Sequence, residues 1–186
     1  MDERLWPWLI GFGVGVIYSN GVEWFIHRFV LHGLGRRRES FWSFHWHEHH
    51  QLARRHAMHD PHYETPPWSW NGQGKEMFAL LLAVVVHVPL LPWVPGFVLG
   101  VWYSTVNYYI KHRHAHLDPE WARRKLPWHV DHHMARNQDA NWCVTRPWFD
   151  WILGTRVPYV GTEEEAEDVA RARKRAERHV AEVPVG

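Results

Sequence analysis

The 186-residue sequence holds a single cysteine, Cys143. That excludes an intramolecular disulfide and any cysteine-based zinc finger. It has almost no net charge, since 21 Lys plus Arg face 20 Asp plus Glu for a formal +1. No basic excess therefore favours nucleic acid as a partner. Hydrolase signatures are also missing. There is no Gly-x-Ser-x-Gly elbow and no phosphate-cradling glycine loop. The one approach to a His-Glu-x-x-His metalloprotease helix, His47-Glu-His-His-Gln51, ends on glutamine where the second histidine belongs. At this length one domain and one sizeable core are expected.

Charge is absent from one long stretch: Met77 to Ile110 contains no Asp, Glu, Lys or Arg. Pro89, Pro92, Pro95 and Gly96 break its middle, so it reads as a helical hairpin with arms of about 77–91 and 94–110. A full bilayer span needs about 20 apolar residues. These arms are short, which fits either a thinned bilayer crossed twice or a hairpin that dips in and returns. A first apolar stretch runs from Leu5 to about Tyr18 and resumes from Val22 to Leu31, interrupted by Ser19-Asn20-Gly21. Asp2 and Glu3 are the wrong flank for a signal peptide, so this stretch is read as retained. The mean hydropathy of −0.44 hides this layout.

Two residue types are abundant: 14 tryptophans and 17 histidines. Trp6, Trp8, Trp68, Trp70, Trp93, Trp121 and Trp128 flank the apolar stretches, where an interfacial belt places aromatic rings. Arg36, Arg37, Arg38, Arg54 and Arg55 lie between the stretches, and Arg113, Arg123, Arg124 and Lys125 follow the second. The positive-inside rule puts both groups on the cytoplasmic side and the N-terminus outside. The fold expected is an all-α integral-membrane protein with a cytoplasmic histidine-rich helical cap. Residues 1–160 form one domain with apolar segments at about 5–31 and 77–110 and a cap from about 27–75 and 111–155. Residues 161–186 form a charged helical tail, in which Thr162-Glu-Glu-Glu165 fits a capping box.

All histidines but His179 lie between His27 and His133, and all but His87 of those lie outside the hairpin. They fall into four groups. His27 and His32 are i, i+5, about 140° apart on an ideal helix, so they serve different ions, or one if the helix end unwinds. His45 and His49 are i, i+4, with His50 about 100° further round; His47 competes with His45 because it is i, i+3 to His50. His112 and His116 share a face, and His129, His132 and His133 can converge. Neutral imidazoles that converge bind Fe, Zn, Cu or Ni. So many exceed what one ion holds, and a dinuclear centre is the economical reading. His114 points away from the 112/116 face, His56, His59 and His62 are read as bystanders beside the Asp60-Pro61 break, and His87 as a packed residue.

The four groups, in this order, resemble the histidine boxes of the fatty acid hydroxylase and sterol desaturase superfamily of integral-membrane, non-haem dinuclear-metal enzymes. Glu23-Trp-Phe-Ile-His27-Arg-Phe-Val-Leu-His32 is similar to the His-x4-His box, and His45-x3-His49-His50 to the next, with Pro66-Pro67 downstream. His112-x3-His116 and His129-x2-His132-His133 match the third and fourth. Asn141 to Thr155 is similar to the C-terminal signature of the fatty acid and sterol branch, whereas the compact length resembles carotenoid hydroxylases. The chain departs from the family in its extra His47 and in having less apolar sequence than two full hairpins.

The resemblance implies two iron ions, or zinc in isolated protein, held by His27, His32, His45 (or His47), His49, His50, His112, His116, His129, His132 and His133. It implies O2-dependent hydroxylation of an unactivated C–H bond of a lipid taken from the bilayer of a bacterial-type cytoplasmic membrane. Carotenoid hydroxylation and lipid desaturation are the alternatives on the same scaffold. Electrons must come from a separate ferredoxin- or cytochrome-type donor, since no haem domain is fused. Glu23, and after it Asp131, Asn141 and Asp150, are the candidates to accept an imidazole N–H beside the metal. A metal-binding or metal-transporting membrane protein is the reading from another class; transport calls for polar residues lining the spanning helices, and the hairpin offers only His87 and a few small polar groups, which counts against it.

Overall fold

A computed structural model describes residues 5–182; Asp2 and Glu3 and the side chain of His179 lie outside the described part. Every regular element among the described residues is helical. Helix α1 runs Trp6–Phe25, with Pro7 in its first turn, where a missing N–H costs nothing. It continues without a break as a π-helical segment, Ile26–Gly33, and a 3-10 turn, Leu34–Arg36. A second π-helical segment, His45–His49, leads into α2, His50–Arg55. The hairpin follows as α3, Gly72–His87, a turn at Val88–Leu90, and α4, Pro95–Leu117. Short helices α5, Pro119–Lys125, α6, Pro127–Met134, and α7, Trp148–Ile152, complete the cap, and α8, Glu163–Glu182, closes the described chain.

Helices α1 and α4 run parallel and in backbone contact. A Cβ on Gly15 would lie 2.3 Å from the Phe97 carbonyl oxygen, and one on Gly100 would lie 2.3 Å from that of Phe12. On Gly96 it would meet the Trp8 carbonyl at 2.5 Å. Gly11-x3-Gly15 and Gly96-x3-Gly100 thus face each other as paired small-residue stripes. Small residues in such stripes let helix backbones approach closely, a packing also common between membrane helices. α3 runs back between the cap and the turn that carries Trp93, which is 75% exposed.

The outer faces of this bundle are apolar and bare. Leu9, Ile10, Val14, Ile17, Leu81, Val85, Val86 and Val106 are all exposed. Two helical stretches, Trp6–Arg36 and Gly72–Leu90, are long and apolar enough to cross a membrane. The 20 residues of α1 extend about 30 Å, the thickness of a hydrocarbon core. The hairpin is observed as expected, but its second arm runs on past Ile110 as one helix to Leu117. Both α1 and α4 therefore deliver their C-terminal ends into the cap.

The cap is held by side-chain caps and by one irregular segment, 135–147. Asp60 accepts from the His62 N–H at the start of the Pro61–Glu64 turn, and Asp118 accepts from Trp121 to start α5. The tail helix is docked: Arg123 pairs with Glu165, and Arg136 reaches Glu167 at 2.7 Å and Asp168 at 3.1 Å. In the capping box, Thr162 accepts from the Glu165 N–H at 3.5 Å, while Glu165 reaches back to the N–H of Gly161.

Candidate metal centre

The local helix type decides where each histidine points. A π turn holds one more residue than an α turn, so positions i and i+5 come onto one face. His27 and His32 lie on the first π segment and His45 begins the second, with His50 directly after it. Both i, i+5 pairs consequently turn inward together. With His132 they form one buried group of five. The α-helical spacing of His112 and His116 joins these two with His49 and His133 in a second buried group. His129 belongs beside it, with its Nε2 3.1 Å from that of His116. The two groups abut: the rings of His50 and His133 lie 4.3 Å apart between centroids, and those of His132 and His133 5.2 Å.

This partition differs from the spacing arithmetic in two places. His45 and His49 do not act on one face; the π turn sends His45 with His50 and leaves His49 to the other group. The His129, His132 and His133 set does not converge on one point, since His132 joins the first group and its neighbours the second. His47 takes no part, its Nε2 lying 3.0 Å from the Arg36 carbonyl oxygen. His114 is exposed and stacks on Trp121 at 4.1 Å. His87 contacts the Ala83 carbonyl within α3, and His59 pairs with Glu64.

The outer nitrogens of the rings fix their tautomers. His27 Nδ1 is 2.5 Å from the Trp142 carbonyl oxygen, His132 Nδ1 2.7 Å from that of Ala140, and His116 Nδ1 2.7 Å from that of Met58. Carbonyls only accept, so each of these Nδ1 atoms carries the proton and each Nε2 is a bare lone pair. His49 donates to Asp60 at 2.7 Å, and His112 faces both Glu76 oxygens at 3.0 Å. Tyr63 hydrogen-bonds the same Glu76 carboxylate. Such carboxylates and carbonyls orient metal-binding imidazoles and raise their basicity.

With one nitrogen of His27, His49, His112, His116 and His132 occupied, buried nitrogens facing inward still lack partners. His50 Nε2 stands 3.1–3.2 Å from the Nε2 atoms of His32, His45 and His132. One N–H can answer only one of them, whereas a cation at their common centre answers all. In the second group the Nε2 atoms of His49 and His112 and both nitrogens of His133 are buried without a hydrogen-bond partner. Leaving such groups unpaired is costly. Imidazoles bind a first-row metal at about 2.0–2.1 Å, and two such ligands at right angles stand about 3 Å apart. The residues fit metal ions.

Burial keeps the rings in the ligand form. Desolvation, then repulsion from neighbouring rings, holds His45, His50, His129 and His133 neutral far below the usual imidazole range. His132 is lowered to about 4 by the same burial, against the pull of the Ala140 carbonyl. His49 is lowered too, although Asp60 opposes the shift. Burial pushes the Asp60 carboxyl up, but the bond to His49, the charge of that ring and the His62 N–H together outweigh it and hold the carboxyl below its usual range.

None of the four acidic or amide candidates accepts an imidazole N–H. Glu23 instead accepts from the backbone N–H groups of Val144 and Thr145 and from the Thr145 hydroxyl at 2.7 Å. Asp150 accepts from the N–H groups of Trp142 at 2.8 Å and Cys143 at 2.9 Å, and from the Thr155 hydroxyl. Asp131 pairs with Arg156 at 2.6 Å and accepts from Tyr159 and Val160. Asn141, at φ +59°, pairs with both backbone polar groups of Val157. They pin the segment that presents the Ala140 and Trp142 carbonyls, one step further from the rings than expected. Asp60 and Glu76, which the sequence reading passed over, hold the imidazoles directly.

Two surface grooves among the described residues lie elsewhere, one lined by Trp8, Gly11, Trp93 and Phe97 and the other by Pro67, Tyr109 and Arg113. Neither includes a histidine of the two groups. Comparison with family models, curated proteins and solved structures found no match.

Proposed function

We propose that this chain is a membrane-embedded, O2-dependent oxidoreductase with a dinuclear, all-histidine non-haem iron centre that hydroxylates a lipid C–H bond. One observation carries the reading: two abutting groups of buried imidazoles, several with their protons committed outward, sit where α1 and α4 leave an exposed apolar bundle. Two redox-active ions at such a centre, when bound, supply the electrons that activate O2. His27, His32, His45, His50 and His132 would hold one, and His49, His112, His116, His133 and His129 the other.

The protein's own residues then have defined tasks. Asp60 and Glu76 keep His49 and His112 oriented, and the Trp142, Ala140 and Met58 carbonyls do the same for His27, His132 and His116. Burial of all ten rings excludes water, which protects reactive species from side reactions. The apolar outer faces of α1, α3 and α4 suit a substrate that arrives from lipid rather than from water. Along the hairpin the one imidazole, His87, is tied to the Ala83 carbonyl, so the spanning helices offer no ladder of ligands for ion transport among the described residues.

The experiment is isotopic. Iron-loaded protein in vesicles of bacterial lipid, given a reductant and ¹⁸O₂, should yield a lipid bearing one added ¹⁸O atom. His132→Ala and His133→Ala should each abolish it. Unlabelled lipid with fully loaded, reduced protein would sink the proposal.

A further inference from the structure

Electrons must cross from solvent to the buried rings, and one aromatic side chain spans that distance on the polar side. Trp46 packs against His32 with ring centroids 5.0 Å apart and against His50 at 5.4 Å, tilted by only 33°. On its other side the guanidinium of Arg36 lies 4.5 Å from the indole centroid. Arg36 is exposed and pairs with Asp139, which itself comes within 3.7 Å of His32 Nδ1. The other large aromatics touching the histidines do not offer this path. Tyr63 and Trp142 are buried, and Tyr108 packs at a tilt against His112 from within α4.

Charge surrounds the outer end of this path. Arg37 and Arg38 follow Arg36, are exposed, and form no ion pair among the described residues. Arg54 frames the other side of the 135–139 loop, donating to the carbonyls of His133 and Ala135 at 2.8 Å. Arg55 beside it is exposed. A basic rim around a partly covered aromatic ring suits a transient, polar encounter. Electron-transfer complexes are of this kind, small in area and steered by charge.

We infer that the Arg36–Arg38 and Arg54–Arg55 surface docks an acidic, soluble one-electron carrier, and that Trp46 conducts its electron to the first histidine group. This rests on the proposed function. In each encounter the carrier is oxidised by one electron and one metal ion of the centre is reduced by one; two encounters reduce both ions. No proton or bond changes partner in the step. Trp46 lies between the partners as a low-barrier bridge and is not itself consumed.

The test uses full-length iron-loaded protein in detergent, with an acidic [2Fe–2S] ferredoxin as the probe and reduced methyl viologen as a small reductant that needs no docking site. Binding of the ferredoxin is measured by titration calorimetry, and electron transfer by the stopped-flow rate of ferredoxin bleaching reversal. Arg37→Glu with Arg38→Glu should weaken binding at least tenfold at low salt, with the difference gone at high salt. Trp46→Leu should leave the ferredoxin Kd within twofold while slowing its oxidation at least tenfold relative to the viologen rate. Trp46→Phe should recover part of that loss. Unchanged binding in the arginine variant together with unchanged relative rate in Trp46→Leu would overturn the inference and leave the centre intact. Failure of viologen to reduce the wild-type centre would overturn the proposed function and this inference with it.

Discussion

At the residue scale, the two groups of rings depend on carboxyl groups that lie outside them. Glu76 faces His112 and Asp60 holds His49, both in the second group. Replacing Glu76 by Gln or Asp60 by Asn removes a carboxyl partner from the ring. Losses of about 10–100-fold in metal affinity are usual for such changes. Chelator competition should show that loss for the second ion, with the first retained more tightly. Equal loss of both ions would mean the two groups are one cooperative site.

The same burial makes the metal-free protein sensitive to acid. The rings titrate near 6.5 when unfolded, and His132 is lowered to about 4 in the fold. Between those values the unfolded chain binds more protons than the native one, so stability falls as pH drops. The apo protein should keep a constant melting temperature above about pH 7 and lose it progressively from 6.5 towards 4. A melting temperature flat across that window would show that the rings are solvated.

At the scale of elements, helix spacing revealed the ten rings but not their partition. The residues at i, i+4 and i, i+3 were legible because imidazoles repeating on one face have few structural uses. Whether His27 and His32 share an ion depended on a π turn, and no residue in Ile26–Gly33 announces one. Asp60 was legible only as a breaker before Pro61, and Glu76 only as the last charge before an apolar run. Their partners lie far along the chain, at His49 for one and His112 for the other, so pattern within a window could not connect them. Glu23 and Asp150 were visible as unusual acids near the boxes, yet they bond backbone N–H groups of 142–145, a contact that exists only once the chain folds back.

The parallel crossing of α1 and α4 belongs to this scale as well. Gly15 and Gly100 leave no room for a side chain, whereas Gly13 has nothing within 4 Å of an added Cβ. Gly15→Ala and Gly100→Ala should each cost about 1–3 kcal/mol of stability through backbone displacement. Gly13→Ala should be neutral or slightly stabilising. Thermal unfolding in detergent separates them; equal melting temperatures for all three would refute the close crossing. Since α1 carries His27 and α4 carries His112, spreading the pair should also loosen both ends of the cap.

For the whole molecule, the apolar bundle and the polar cap define two ends. If α1 spans, single cysteines at Leu5 and at Arg38 will react with a membrane-impermeant maleimide from opposite sides of sealed vesicles. Cys143 is buried and gives little background. Labelling of both from one side would mean that α1 lies in one leaflet, and the reading of the apolar faces as a lipid-spanning surface would fail. The cap would remain, since its ion pairs with α8 and the 135–147 segment do not depend on the bilayer.

The proposed dinuclear centre is the claim on which the proposed chemistry stands, and metal content per chain tests it most directly. Protein purified in detergent from iron-replete cells should carry two ions per chain. His132→Ala and His133→Ala, one in each histidine group, should each lower that figure towards one. A wild-type chain with one ion, or none, would contradict the centre described here.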